Sequence, residues 1–518
     1  MAYSFTEGRY VHSFPRFTGS ARDIILNPSQ GMELERNLLT LATSRSGKGA
    51  AQIIPNLRHW SHNALVIDPK GEAAELTWHD REAMGQQVFV LDPFQTCNVP
   101  DRIRARLNPL DEIDTDSPHA FRQINAVADG LVMRHSAEAG HWDEGTRQLL
   151  AGLITQVLTH ERFEGRRTFA ALRETIIGND LNEIVAEMAG NNACGRLAMT
   201  GASKLQKTGS EAGHFLSGAT TNTIWLDDPL IENCLSESNF NLNALKRGKV
   251  TIYLVLPFEA LGDYGRFLRL FVRIALFQMM QKMPNGDLKG ERCLFILDEF
   301  FSLGMISEIS KSAGGMPGYN LHLWPFLQDL PQLLDLYGQN GAQTFFANSD
   351  GTFAYGINDL VTARYVSDAA GLITEDELDV RPPRKPQYDV PPRFASPKGT
   401  IRGFLQRAFN KETPEYQFFR QANMRPEQLE EGRNIIVANI HNQTSAEWQQ
   451  QKANAEARYQ DDLTRYRQAE RMIGKPRVTS EDAMTLTKKH ETRKIAPYSL
   501  MIKSGVCYKT EHKAHWEI

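Results

Sequence analysis

Short apolar runs recur along the chain, separated by longer stretches in which hydrophobic residues return at helical spacing. The runs read NLLTLAT, NALVID, QVFVLD, VTIYLVLP, RCLFILDE, NLHLWPFLQ, GTFAYGI and NIIVANI. Most are hydrophobic on both faces, as the strands of a parallel sheet covered by helices must be. The pattern predicts an α/β fold, a mostly parallel sheet flanked by helices. Three runs end in an acid, at Asp68, Asp92 and Asp298. Ligands of open α/β sheets bind at the carboxyl ends of strands, so these acids are candidate site residues.

Between the third and fourth runs, from about Leu110 to Gly248, no strand pattern occurs. The interval reads as helices through PHAFRQINAVADGLVMR, HWDEGTRQLLAGLITQVLTH, FAALRETIIG, LNEIVAEMAG and GHFLSGATTNTIWL. It predicts an inserted all-α domain over 113–247, dividing a sheet domain into 1–112 and 248–380. Six prolines in PPRKPQYDVPPRFASP mark a linker segment over 381–422. Residues 423–518 then carry NIIVANI as a last core strand and a charged helical region. That helix opens on a capping-box pattern from Thr444 to Glu447 and places Tyr459, Leu463 and Tyr466 on one face. FLRLFVRIALFQMM is the most apolar long stretch, but Arg269 and Arg273 interrupt it. With no run of about 18 apolar residues, it reads as a buried or interface helix and not a membrane span.

At 518 residues, 41% hydrophobic and 23% charged, the composition is that of an ordinary globular protein with room for two or more domains. A net charge of −4 gives no global basic field, so a nucleic acid would have to meet a local patch or a pore. The five cysteines are scattered without metal-ligand spacing, which argues for a reducing compartment and against structural zinc.

Candidate chemistry begins at TLATSRSGKGAAQIIPNL. A phosphate-binding loop follows G-x-x-x-x-G-K-[ST], in which backbone N–H groups cradle phosphates and a hydroxyl holds Mg²⁺. Here Ala42 replaces the first glycine and Gly49 the hydroxyl. The strand–turn–helix context suits phosphate binding at a helix N-terminus, the alternative being a plain Ser/Gly turn. The candidate nucleotide contacts are Thr43, Ser44, Arg45, Ser46, Gly47, Lys48, Gly49 and Ala50, with Asp68 beyond them. A second motif, RCLFILDEFFSLG, ends a strand in Asp298-Glu299. In that pattern an aspartate holds the Mg²⁺ shell and the next glutamate polarises the attacking water. Together the two motifs favour an NTPase, with water or Asp298 supplying the ligand that Gly49 lacks.

Further stretches carry a resemblance. ALVIDPKGEAAELT, VFVLDPF and FLQDLPQLLDLYG, with GSAR upstream and GINDLVTARYVSDAAG downstream, resemble segments of the type IV coupling proteins. These ATPases feed substrates into conjugation and type IV secretion machines. The resemblance runs from about Gly19 to Gly371, and more loosely through MRPEQLEEGRNIIV. A glycine after the loop lysine is a common variant there, whereas Ala42 is a departure. The resemblance implies a RecA-like P-loop NTPase interrupted by an all-α domain, with ATP and Mg²⁺ as cofactors. It also implies a homo-hexameric ring with nucleotide between subunits and a central channel for single-stranded DNA. The implied partners are relaxase or effector proteins and components of the secretion channel. Carried over, Lys48 would bind the β/γ phosphates, Asp298 the Mg²⁺ and Glu299 the catalytic water. Gln328, ending LHLWPFLQ, would sense the γ-phosphate, or else cap the following turn.

Two features depart from the family pattern. Some members place an arginine before the sensor strand to reach the neighbouring subunit's nucleotide, but SAGGMPGYN contains none. Arg266 and Arg364 are the candidates to replace it. Members also usually carry a membrane anchor before the nucleotide domain. This chain starts at about the point where that anchor would end, which reads as a truncated or a naturally anchorless member at the cytoplasmic face of the bacterial inner membrane. RGFLQRAFNKETPEYQFFR interleaves Arg402, Arg407, Lys411 and Arg420 with Phe404, Phe409, Tyr416 and Phe418, a pattern suited to single strands or to docking on the core. Tyr319 falls near the expected pore side, and His141-Trp142 heads a helix of the insert. The expected function is an ATP-driven motor that moves DNA or DNA–protein substrates towards a secretion channel. The alternatives are a nucleotide-dependent substrate-receptor adaptor with weak hydrolysis and, less favoured, a septal-type DNA translocase.

Overall fold

A computed structural model of the chain describes residues 12–13, 23–27, 30–133, 140–207, 210–372, 382–386, 448–468, 470–471, 476, 478–488, 498–503 and 506–511. The chain divides into two compact units, Met1–Gly371 with Pro476–Ile518, and Leu372–Lys475.

Among its described residues the first unit has twelve strands: β1 (His12–Ser13), β2 (Ile24–Asn27), β3 (Gln30–Met32), β4 (Asn37–Ala42), β5 (Asn63–Asp68), β6 (Gln87–Leu91), β7 (Val250–Val255), β8 (Cys293–Leu297), β9 (Leu321–Leu327), β10 (Ser349–Tyr355), β11 (Tyr498–Lys503) and β12 (Val506–Glu511). Ten of them form one sheet in the order β1-β12-β11-β10-β4-β9-β8-β5-β7-β6, and β2-β3 is a separate hairpin. From β10 to β6 every neighbouring pair is parallel. β11 runs antiparallel to β10 and to β12. Seven of the apolar runs are these parallel strands. The eighth, NIIVANI, lies outside the described residues. β10 is joined by β11, a strand the sequence pattern did not suggest.

Alternation along each strand splits the core into two layers. Leu65 and Ile67 of β5 join one cluster, which runs on into Leu149, Leu153 and Val157 of the helical interval. Ala64 and Val66 face the other layer with Ile296 of β8 and Trp324 of β9. Burial on both faces explains why these runs look continuously apolar.

The described residues of 113–247 contain no strand. Their helices include Ala120–Leu131, His141–Thr159, Phe169–Ile177, Leu181–Gly190 and Glu211–Thr223, all near the predicted segments. A further helix, Ala193–Leu205, was not legible. It opens with Cys194, Gly195 and Arg196 in the left-handed region, and two glycines weaken its propensity. Packing holds it, because Gly152 and Gly201 let two backbones touch: a Cβ on Gly152 would lie 2.6 Å from the Gly201 Cα.

The helix Leu261–Met279 is buried around most of its circumference, as a helix between the sheet and the insert must be. Its two buried arginines are paired, Arg273 Nε with Asp129 Oδ2 at 2.9 Å and Arg269 Nη2 with the same oxygen at 3.5 Å. No helix among the described residues is long and apolar enough to cross a membrane. In the second unit, residues 448–468 are helical, and Tyr459, Leu463 and Tyr466 are half-buried along one stripe. The Thr444–Glu447 pattern and the segment from Arg402 to Arg420 lie outside the described residues.

Candidate functional site

The site forms where β4, β9, β8 and β5 end side by side. β4 closes on Ala42, fully buried and paired with Tyr355 of β10. Ala42 keeps a negative φ, and the left-handed turns of the loop fall to Arg45 (φ 61°) and Gly47 (φ 97°). A Cβ at position 42 is therefore accommodated, and the first glycine is not required here. The helix of the loop begins with a π-helical turn, Gly49–Ile53, then Ile54–Leu57.

Two hydroxyls staple the loop. Thr43 Oγ1 donates to the Gly356 carbonyl at 2.7 Å, and Ser46 Oγ to the Thr43 carbonyl at 2.6 Å. What Thr43 and Ser46 contribute through their side chains is loop shape. The N–H groups of Arg45, Gly47 and Lys48 donate to no carbonyl among the described residues. Groups of this kind at a helix start suit an anion.

Lys48 is nearly buried, and its Nζ lies 3.1 Å from Glu299 Oε1 and 3.3 Å from Asp298 Oδ1. Burial alone would depress its pKa, but the Asp298 and Glu299 carboxylates raise it above the ordinary lysine value. Asp298 follows β8, and Glu299 adopts a left-handed conformation (φ 51°, ψ 43°). Such backbone in a non-glycine residue costs about 1–2 kcal/mol and must be held in place. Gln328 leaves β9 between them, its Nε2 3.5 Å from Glu299 Oε2, while its N–H donates to Gln332 Oε1 at 2.9 Å. The first contact is at the limit of a hydrogen bond.

Asp68 leaves β5 level with Asp298, since Ile67 pairs with Leu297 across the two strands. Burial pushes its pKa up to about 7; the Ala74 N–H at 2.8 Å opposes this and Asp298 adds to it. Asp92, the third strand-end acid, stays out of the cluster. It accepts the N–H groups of Thr96 and Cys97, both at 2.9 Å, and shapes a turn.

A cleft of about 620 Å³ runs along Lys48, Asp68, Asp298 and Glu299. Lys70 and Phe258 form part of its wall, and neither was singled out in the sequence. Two carboxylates, Asp298 and Glu299, facing the Lys48 ammonium leave an excess of negative charge at that point, which suits a divalent cation. No group of three or more His, Cys, Asp or Glu among the described residues is arranged to hold a metal. A Mg²⁺ here would therefore draw on Asp298, phosphate oxygens and water, its usual manner of binding.

A family model described as Type IV secretory system Conjugative DNA transfer matches residues 18–379. The chain belongs to this family. Among relatives of these conjugative DNA-transfer proteins, VirD4 of Rhizobium radiobacter is 28% identical over 350 residues, covering 65% of this chain and 48% of the relative. Conjugal transfer protein TraG of Escherichia coli is 27% identical over 362 residues, covering 65% and 55%. The chain spans about half the length of the curated relatives it matches. Among solved structures, the conjugative coupling protein TrwBdeltaN70 with sulphate superposes with a TM-score of 0.51 at 17% identity, covering 68% of this chain and 78% of that one. TrwB in complex with ADP and Mg²⁺ gives 0.51 at 17%, covering 67% and 78%. The fold is RecA-like, with a P-loop.

Of the arginines that could serve a neighbouring site in this family, Arg266 points inward. Its Nε donates to Asn222 Oδ1 at 3.2 Å, and burial lowers its pKa. Arg364 is exposed. Tyr319 precedes β9, at the opposite end of the strand from Gln328, with the Lys246 ammonium 5.3 Å from its ring centroid. Trp142 packs against His214 in the insert, 4.8 Å between ring centroids.

Proposed function

We propose that the chain is the ATP-hydrolysing motor of a coupling protein that recruits DNA or DNA–protein substrates and drives them into a type IV secretion channel. The observation that carries this reading is Lys48, held by its carboxylates at the mouth of a loop in which the N–H groups of Arg45, Gly47 and Lys48 donate to no carbonyl among the described residues. When nucleotide binds, the Lys48 ammonium would exchange one carboxylate for the β/γ phosphate oxygens. Asp298 would hold Mg²⁺, which neutralises charge on the transferring phosphoryl group. Glu299, released from Lys48, would accept the hydrogen bond of the attacking water, and Gln328 would register the γ-phosphate at the end of β9. The backbone N–H groups from Ser44 to Ala50 would line the phosphate path.

TrwB has been solved with ADP and Mg²⁺ and with a non-hydrolysable ATP analogue. That supports ATP and Mg²⁺ as the cofactors here. By the same kinship the working form would be a homo-hexamer threaded by single-stranded DNA at the cytoplasmic face of the bacterial inner membrane. Its partners would be relaxase or effector proteins and the secretion channel. The inward turn of Arg266 and the lack of arginine in SAGGMPGYN favour slow intrinsic turnover and keep the adaptor reading as the second one. ATPase activity measured with and without single-stranded DNA decides between them. The motor reading expects stimulation that Glu299→Gln abolishes while nucleotide still binds. A rate indifferent to every DNA tested would leave the adaptor.

A further inference from the structure

Glu299 sits in a strained turn, and the segment that follows it is tied through Arg269 of the helix Leu261–Met279 to the helical interval. Its carbonyl accepts two hydrogen bonds from Ser302, from the N–H at 2.9 Å and from Oγ at 2.8 Å. One residue further on, the Leu303 carbonyl accepts Arg269 Nη1 at 2.9 Å, and the same nitrogen reaches the Met305 carbonyl at 2.7 Å. Arg269 is fully buried, and its Nε donates to the Asp129 carbonyl at 3.3 Å while Nη2 faces the Asp129 carboxylate. Asp129 belongs to the insert helix Ala120–Leu131. One planar guanidinium thus bridges the insert and the segment that follows Glu299.

Two close backbone approaches make this a rigid block. A Cβ on Gly130 would lie 2.9 Å from the Leu270 Cα, and one on Gly265 would lie 2.8 Å from the Ser302 carbonyl oxygen. Insert helix, Leu261–Met279 helix and Glu299 turn therefore cannot slide past one another independently. Arg273 extends the clamp from Asp129 to Glu308 Oε1 at 3.0 Å, so two buried guanidiniums face two carboxylates. Pairing of this sort, with all three nitrogens of Arg269 and Nε and Nη2 of Arg273 occupied, fits a role in fixing geometry.

We propose that Arg269 is a positioning residue for Glu299, and that its contact with Asp129 ties hydrolysis to the placement of the helical insert. The proposal rests on Glu299 serving as the base of the reaction proposed above. A force or partner acting on the insert would reach Glu299 through Asp129, Arg269 and Ser302, without touching the nucleotide. Lysine cannot replace Arg269, because a single ammonium cannot span the Leu303 and Met305 carbonyls and Asp129 together.

The test measures kcat, the KM for ATP and the affinity for a non-hydrolysable ATP analogue in Arg269→Lys, Asp129→Asn and Ser302→Ala, with Glu299→Gln as reference. Ser302→Ala loses one of two hydrogen bonds and keeps the fold, so kcat is expected to drop about two- to tenfold. Arg269→Lys is expected to lower it at least about tenfold. Both should leave KM, analogue affinity and binding stoichiometry unchanged, which a loss of folded protein would not. Unaltered kcat in Ser302→Ala and Asp129→Asn, where Glu299→Gln is inactive, would overturn the proposal. An active Glu299→Gln would instead overturn the role of Glu299 itself.

Discussion

Gly49 stands where a phosphate loop usually carries the hydroxyl that meets Mg²⁺, and the fold leaves room to supply one. A Cβ built on Gly49 meets no atom within 4 Å. The residue lies in the first turn of the loop helix, so Gly49→Ser adds no clash and gains about 0.5 kcal/mol of helix propensity over glycine. A hydroxyl facing a cation or phosphate makes a charge-assisted contact worth about 1.5–3 kcal/mol, equivalent to about a ten- to hundredfold change in affinity. The assay is titration of a fluorescent ADP in Mg²⁺ and, separately, in EDTA. The expected result is a Kd at least about tenfold lower in Mg²⁺ and within about twofold of the parent in EDTA. Identical Kd values for parent and variant in both conditions would refute the placing of the cation beside Gly49. Its protein ligand would then be Asp298 alone.

Other perturbations probe other parts of the same structure. Lys48→Ala is expected to weaken nucleotide binding at least about tenfold by calorimetry, because it removes the ammonium that Asp298 and Glu299 hold beside the loop. Gly356→Ala forces a φ of 64° on alanine and puts its Cβ 2.7 Å from Thr43 Oγ1 and 2.8 Å from Ser46 Cβ. Melting should report a loss of about 1–2 kcal/mol or more together with weaker nucleotide binding, whereas Gly85→Ala, strained at 83° but with open space around it, should leave binding unchanged. Glu112 is buried, which raises its pKa to about 7 despite bonds from the Leu242 N–H and Gln278. The folded state therefore holds this proton more tightly than the unfolded chain does. Stability should fall as pH rises from about 4.5 to 7, by an amount on the order of 2–3 kcal/mol. Glu112→Gln should flatten that slope and match or exceed the parent in urea unfolding at pH 8, with the Gln278 amide turning to accept.

The strands of the parallel sheet were legible because burial on both faces leaves no polar register to confuse them. The interval 113–247 was legible as helical because amphipathic spacing persists through it, yet Ala193–Leu205 escaped notice. Its stability comes from the contact of Gly201 with Gly152, which propensity cannot register. At the site, Lys48, Asp298 and Glu299 were named from motifs and Gln328 from the family resemblance, and the sheet order brings all four together. Asp92 looked equivalent to Asp68 and is not: β6 lies at the sheet edge, so its terminal acid closes a turn with Thr96 and Cys97. The motif made Thr43 and Ser46 candidate nucleotide contacts; their hydroxyls donate to the Gly356 and Thr43 carbonyls. Lys70 and Phe258 could not be found by motif, because they join the cleft only through the packing of segments that follow β5 and β7.

The sheet order also shows that the loop motif is not self-sufficient. Thr43 is fixed by Gly356, and Gly356 is fixed in turn from the far end of the chain. Its N–H donates to the Thr487 carbonyl at 3.0 Å, and the Ile357 N–H to Thr487 Oγ1 at 3.2 Å. Thr487 ends the helix Ser480–Thr487, too short to persist alone. A capping box at Thr479 and Asp482 starts that helix, and Val478 and Ala483 bury it against Ala354, Ala363 and Val366. β11 then pairs with β10, the strand that leads into Gly356. All of these C-terminal residues lie beyond the segment that matches the family model. The family match thus covers Lys48, Asp298, Glu299 and Gln328, while the backbone that shapes the loop is secured by a part of the chain the match does not include. A chain cut after residue 379 would keep every signature residue and lose the hydrogen bonds at Gly356 and Ile357 that hold the Thr43 acceptor in place.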